Sequence, residues 1–178
     1  MGALVKAEQQ ADAADHRQYL TFVLGGEMYA IAILSVKEII DYGHLTVVPM
    51  MPDCIRGVIN LRGAVVPVVD LARRFSSGST EVKRRSCIVI IEVEADGEHQ
   101  DIGVIVDAVS EVLEIRQDQI EPPPAFGAKI RTDFIQGMGK VDGRFVIVLN
   151  VNRVLSMEDL AMLGRAAGQD LAAQEAGA

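Results

Sequence analysis

Tryptophan is absent from this chain, and phenylalanine and tyrosine together make up only 4% of it. Small barrels that hold single-stranded nucleic acid stack bases on aromatic rings, and phosphate-gripping surfaces cluster Lys and Arg. With few rings and a net charge of −8, a β-barrel nucleic-acid binder is disfavoured. The one basic run, Lys83-Arg84-Arg85 after a Gly/Ser/Thr stretch, reads as the solvated rim of a loop. Cysteine is nearly absent too. Cys54 and Cys87 stand alone without C-x-x-C spacing, which removes a zinc site and a thioredoxin-like dithiol and leaves two buried thiols as the expectation. No apolar run approaches the roughly 18 residues of a membrane span. The opening "MGALVKAEQQADAADHRQ" lacks the apolar core and cleavage site of a secretory signal. A cytoplasmic location with reduced thiols follows as the expectation.

Catalytic constellations are missing as well. His16, His44 and His99 are not paired at ligand spacing, so neither a metal site nor a histidine-based triad is indicated. There is no G-x-S-x-G and no G-x-x-x-x-G-K-[ST]; "GMGKVDG" misses the dinucleotide spacing by one residue and lies between strands. Glu92 and Glu94 share one face of a strand, its solvated side. The chain reads as a non-enzyme with no cofactor and no metal.

What is present is aliphatic material: 49% of the 178 residues are hydrophobic, mostly Val, Ile, Leu and Ala, a bias toward sheet. That length suits one compact unit or two small barrels sharing an interface. Residues 1–17 and 164–178 are expected to be flexible tails around a folded part spanning 18–163. "QYLTFVL" and "MYAIAI", joined by Gly-Gly-Glu, read as a hairpin. Ser35 and Glu38 have capping-box spacing, which predicts a short helix from Val36. "HLTVVP" reads as a strand and "PDCIR" as a turn of helix; "GVINL" and "AVVPVVDL" flank an Arg62-Gly63 turn. Pro67 within that last run predicts an edge strand or a bulge. Then come strands "SCIVIIEV" and "HQDIGVIV", a short helical "AVSEVLEI", the stiff connector "EPPPAF", strands "FIQGMGKV" and "RFVIVLNV" about an Asp-Gly turn, and a closing helix "NRVLSMEDLAML".

The pattern repeats internally. A shift of 80 positions lays "GVINLRGAVVPVVDLARRF" on "GMGKVDGRFVIVLNVNRVL", so that Gly57 meets Gly137 and Gly63 meets Gly143. A shift of 73 lays "YAIAILSVKEII" on "IGVIVDAVSEVL". Two similar five-stranded barrels, roughly 18–85 and 86–155, are expected, with exchange of strands between them left open. The comparison isolates one oddity: where one half carries Asn60-Leu61-Arg62-Gly63, the other has an ordinary Asp142-Gly143 hairpin turn. The turn itself does not need Arg62. Two readings stay open. Either Glu38 holds Arg62 and leaves Val36 and Ile39 to meet a partner helix, or those two are core residues and Arg62 is a free surface charge.

These same stretches, "YLTFVLGGEMYAIAILSVKEII", "GVINLRGAVVPVVDLARRF", "DAVSEVLEIRQDQIEPPP" and "FIQGMGKVDGRFVIVLNVNRVL", resemble the chemotaxis coupling protein family, CheW. The resemblance covers residues 18–163. It implies a mainly β fold of two SH3-like five-stranded barrels packed together, with short helices and a C-terminal helix. It also implies a scaffold that binds the cytoplasmic tip of methyl-accepting chemoreceptors and the regulatory domain of the histidine kinase CheA, and that alternates with it, or with further copies of itself, in rings. Carried over position by position, the receptor-facing groove falls on Val36, Glu38, Ile39, Arg56, Gly57, Asn60, Arg62, Gly63 and Val112. Kinase contact falls on Glu121 and Phe126. The alternative within this class is a coupling protein of a chemosensory-like pathway that controls pili, surface motility or gene expression.

Overall fold

The computed structural model describes residues 16–75, 81–95, 97–123 and 134–156. Their strands run β1 His16–Leu24, β2 Glu27–Ala32, β3 Val36–Asp41, β4 Ile55–Leu61, β5 Ala64–Asp70, β6 Cys87–Ala95, β7 Glu98–Val106, β8 Ala108–Arg116, β9 Ile120–Glu121, β10 Ile135–Val141 and β11 Arg144–Leu149. Single helical turns follow two of the hairpins, α1 at Leu71–Arg74 and α2 at Val151–Val154.

One sheet has the order β8-β1-β2-β11-β10-β9 and the other β3-β6-β7-β5-β4. Setting aside the two-residue β9, both follow one plan. A hairpin (β1-β2 or β6-β7) is flanked on one side by a single strand (β8 or β3). On the other side a second hairpin joins it through a parallel pairing, β11 to β2 or β5 to β7. The fold is mainly β, with two SH3-like five-stranded units. The units do not follow the 18–85 and 86–155 division of the repeat. β3 to β7, residues 36–106, form one sheet as a continuous stretch, inserted between β2 and β8 of the other. In that other sheet β1 and β2 are completed by β8, β10 and β11 from the far side of the insertion.

Three apolar clusters explain why the strands are so uniformly hydrophobic. Tyr19, Ala30, Ile115, Val146 and Val148 fill one unit, and Val66, Val68, Ile88, Ile90 and Ile105 fill the other. A larger cluster, including Phe22, Tyr29, Val69, Phe75, Val89, Ile91, Val104 and Phe134, packs the two sheets together. Side chains alternate across a strand, so in β6 Ile88 and Ile90 face the interior while Val89, Ile91 and Val93 face the other sheet. A strand buried on both faces reads as an unbroken apolar run.

The repeat survives in backbone detail. Arg62 and Asp142 both adopt positive φ, 52° and 50°, each followed by a glycine at 87° or 77°. Each first hairpin strand carries its register shift at the same place, between Ile55 and Gly57 and between Ile135 and Gly137. Both of these glycines are required by a close approach. A Cβ on Gly57 would stand 2.6 Å from the Thr46 carbonyl oxygen, and one on Gly137 would collide with Ile120 and lie 2.9 Å from the Glu121 carbonyl oxygen.

Several local expectations are corrected. The residues from Val36 onward form a strand, not a capped helix; only Ile33–Ser35 makes a helical turn, of 3-10 type. "AVSEVLEI" is likewise strand β8. Their β-branched residues find partners on β6 and β1, and ladder pairing outweighs the local capping signal. "HLTVVP" contributes only a bridge between Thr46 and Val58. Pro52 opens a turn closed by the Ile55 amide donating to its carbonyl, and Ile55 already belongs to β4. Pro67 lies on an interior strand, between β4 and β7; it is tolerated because the ladder to β7 begins one residue later, at Val68. Of the closing helix, Val151–Val154 is helical, and the part from residue 157 lies outside the described residues.

Candidate functional site

The β4–β5 turn is a two-residue loop, Arg62-Gly63, between the paired Leu61 and Ala64. Loops of this kind need positive φ at both positions and favour Asn-Gly or Asp-Gly. An arginine in the left-handed region is strained by roughly 1–2 kcal/mol. Asn60 offsets part of this by accepting a hydrogen bond from the Gly63 amide through Oδ1 at 2.8 Å, which fixes the turn.

Arg62 then reaches across the mouth of the unit. Its Nη2 donates to Glu38 Oε2 at 2.9 Å, and Glu38 belongs to β3, at the far end of the sheet order from β4. The pair therefore joins the two edge strands. Ile40 of β3 and Ile59 and Leu61 of β4 pack against the same interior cluster, so the sheet curls until its edges face each other. A shallow cleft remains between them, lined by Ile40, His44, Thr46, Val58 and Asn60. The Arg62 side chain is 77% exposed and that of Glu38 26%. An ion pair in that setting stabilises a fold by about 1 kcal/mol or less. Its consequence is geometric: a guanidinium held in one direction, with donor capacity left for a second acceptor.

Ile39, next to Glu38, is 45% exposed, and Val112, its counterpart under the 73-residue shift, is 48% exposed on β8 of the other sheet. Val36 is half-buried against the core between the sheets, so it serves packing first. Arg56 and Gly57 stand apart from the ion pair. Arg56 is the extra residue of the β4 bulge, and its Nη1 lies 3.4 Å from Oδ2 of the fully buried Asp70. Asp70 also caps α1, accepting from the Ala72 amide at 3.1 Å, and it sits 3.9 Å from Arg73 Nε. Gly57 is buried beneath Thr46. Glu121 is exposed on β9, paired with Met138. Phe126 lies outside the described residues.

Leu34, which the sequence reading does not single out, is 97% exposed in the 3-10 turn just before β3. Among the described residues, no three His, Cys, Asp or Glu side chains are grouped to hold a metal ion, and no helix is long and apolar enough to cross a membrane. Cys54 is buried and its thiol is pushed up by desolvation, with Arg74 pulling the other way. That is the opposite of an activated nucleophile.

The surface presents a tethered arginine beside exposed apolar side chains, and the chain as a whole is similar to members of one family. Residues 18–159 match the model of the CheW-like domain. The chain is 32% identical over 167 residues to Chemotaxis protein CheW of Klebsiella aerogenes, covering 94% of this chain and 98% of that one. It is 32% identical to the Bacillus subtilis Chemotaxis protein CheW, covering 83% and 92%, and 29% identical to Protein FrzA of Myxococcus xanthus, covering 82% and 89%. The crystal structure of the scaffolding protein TtCheW from Thermoanaerobacter tengcongensis superposes with a TM-score of 0.70 at 37% identity, covering 78% of this chain and 86% of that one. With the family model spanning most of its length and the same fold in a scaffolding protein, this chain belongs to the CheW-like domain family.

Proposed function

We propose that this protein is a non-enzymatic adaptor of chemotaxis signalling, coupling methyl-accepting chemoreceptors to the histidine kinase CheA. The observation that carries the reading is the Arg62–Glu38 pair, an arginine kept in a strained turn that the duplicate half of the chain makes without it. Both turns take positive φ at this position, where an aspartate is better tolerated than an arginine, so an arginine at one of them points to use rather than folding. In this reading Arg62, Glu38, Ile39, Asn60 and Gly63, with Val112 from the other sheet, meet the helical tip of a receptor in the helix-in-groove manner. Val36, Arg56 and Gly57 shape that surface from beneath. Glu121 and Phe126 contact the regulatory domain of the kinase, and the adaptor acts in the cytoplasm at the receptor arrays. Individually modest contacts gain strength there through high effective concentration. Likeness to Protein FrzA, a relative not named for chemotaxis, supports a second reading, coupling in a chemosensory-like pathway that controls pili, surface motility or gene expression.

The test is autophosphorylation of the cognate kinase in receptor-containing membranes, with this protein or its Arg62→Glu variant. Stimulation by the native protein and its loss in a folded variant is the expected result. Equal stimulation by both would remove Arg62 from the receptor site.

A further inference from the structure

The quasi-equivalent strands β3 and β8 each break register at the same point of the repeat. On β3 the partners step from Val36 with Ile91 to Glu38 with Ile90, which leaves Lys37 as the extra residue. On β8 they step from Val109 with Phe22 to Val112 with Leu20, which leaves Ser110 and Glu111 facing Thr21. A bulge bends its strand and re-aims the side chains beside it, and contacts that hold it fix that aim.

The two sheets hold theirs differently. In the first, the fully buried Thr21 hydroxyl donates to the Glu111 carbonyl at 2.7 Å and accepts from the Glu111 amide at 3.1 Å. The repeat places Ile90 where Thr21 would be, opposite Glu38, and an isoleucine has no hydroxyl. The work passes to the outside of the sheet. Lys37 Nζ lies 3.2 Å from Glu92 Oε2 on β6 and 2.9 Å from Asp101 Oδ1 on β7, residues that are themselves cross-strand partners. His99 of β7 approaches Glu92 from the other side, Nδ1 to Oε1 at 2.9 Å. The bulged residue is thus tied across three strands, one position before the carboxylate that grips Arg62. The two carboxylates also raise the lysine's affinity for its proton, Asp101 first and Glu92 second.

We propose that Lys37 is a positioning residue for the receptor-facing surface: by binding Glu92 and Asp101 it pins the β3 bulge and so aims Glu38 at Arg62. This rests on the proposed receptor-coupling function and adds to it a residue that touches no partner. Lys37 acts through Glu38, so its removal matters only while Glu38 is present.

The experiment measures binding of the full chain to a soluble cytoplasmic fragment of a methyl-accepting chemoreceptor, together with hydrogen exchange of the β3 amides in the free protein. Lys37→Met, which keeps the apolar stem, is expected to weaken binding about three- to tenfold and to speed exchange from Glu38 to Ile40. Lys37→Arg, which keeps the charge, restores both to within about twofold. On a Glu38→Ala background, Lys37→Met adds no further loss. An equal loss on that background would mean that Lys37 meets the receptor directly, and unchanged exchange in Lys37→Met would mean that it pins nothing; either overturns the proposal. If Glu38→Ala and Arg62→Glu leave receptor binding unchanged, the receptor reading fails. The exchange measurement then still decides whether Lys37 holds the bulge.

Discussion

Arg62 and Gly57 show how differently two neighbouring residues of one motif are constrained. Arg62 is exposed and strained, and its replacement is expected to leave the fold intact while changing what the surface can bind. Gly57 is silent on the surface, but a methyl group there would stand 2.6 Å from the Thr46 carbonyl oxygen, which accepts from the Val58 amide and would have to shift. Gly57→Ala is expected to destabilise by about 1–3 kcal/mol, the usual cost of overpacking, seen as a fall of several degrees in melting temperature. Gly137→Ala, at the repeat position, behaves alike. An unchanged melting point in either would mean that the preceding segment moves aside freely. The two thiols differ as well. Cys54 is buried and its thiol is held protonated by desolvation, whereas Cys87 is only half-buried. Alkylation of the native protein at neutral pH should label Cys87 first; preferential labelling of Cys54 would contradict its burial.

At the scale of elements, the hairpins were legible and the single strands between them were not. The Arg62-Gly63 and Asp142-Gly143 turns announce themselves through Gly and polar residues between apolar runs, and the 80-residue shift places them correctly. The capping-box spacing of Ser35 and Glu38 signals a helix at the start of β3, and no local pattern reveals the bulges through which β3 and β8 pair with β6 and β1 instead. The same bulges hid Lys37, whose partners lie 55 and 64 positions away along the chain, at Glu92 and Asp101, beyond any local pattern. The Arg62–Glu38 pair was legible as one of two open readings, since neighbouring elements carried both charges. That β3 and β4 are opposite edges of one sheet was not. Thr21→Val tests the buried half of this picture. It leaves the Glu111 backbone groups without their internal partner, a loss expected at about 1–3 kcal/mol, and denaturant unfolding reads it. Stability equal to the native protein would show that the β8 bulge holds itself.

Across the whole molecule, among the described residues, the groups whose proton affinity clearly moves all move the same way. Tyr29 is raised by burial and then by Glu27, Cys54 by burial, and Lys37 by its hydrogen bonds to Asp101 and Glu92. A group whose affinity for its proton rises on folding contributes stability that is complete below its unfolded pKa and is lost as pH climbs through the folded one. Stability should therefore fall above the ordinary thiol, phenol and ammonium ranges, and a melting temperature that held steady through that alkaline window would contradict these assignments. The exchange of strands has a larger effect. Residues 16–85 alone leave β1 and β2 without β8 and β11, and leave β3 and β5 without β6 and β7. Separate expression of the two halves should give chains that do not fold as monomers, and mixing them should recover the native circular dichroism spectrum. A half that folds alone would show that its strands can re-pair.

That reciprocal exchange also carries a statement about descent. Each half keeps one hairpin at home and lends the next strand and the next hairpin to its counterpart, and the counterpart returns the same loan. Two copies of a half-length chain, related by a two-fold axis, would satisfy every one of these pairings as a swapped homodimer. Joining them end to end frees the copies from symmetry, so that one turn can carry an arginine while its twin keeps an aspartate.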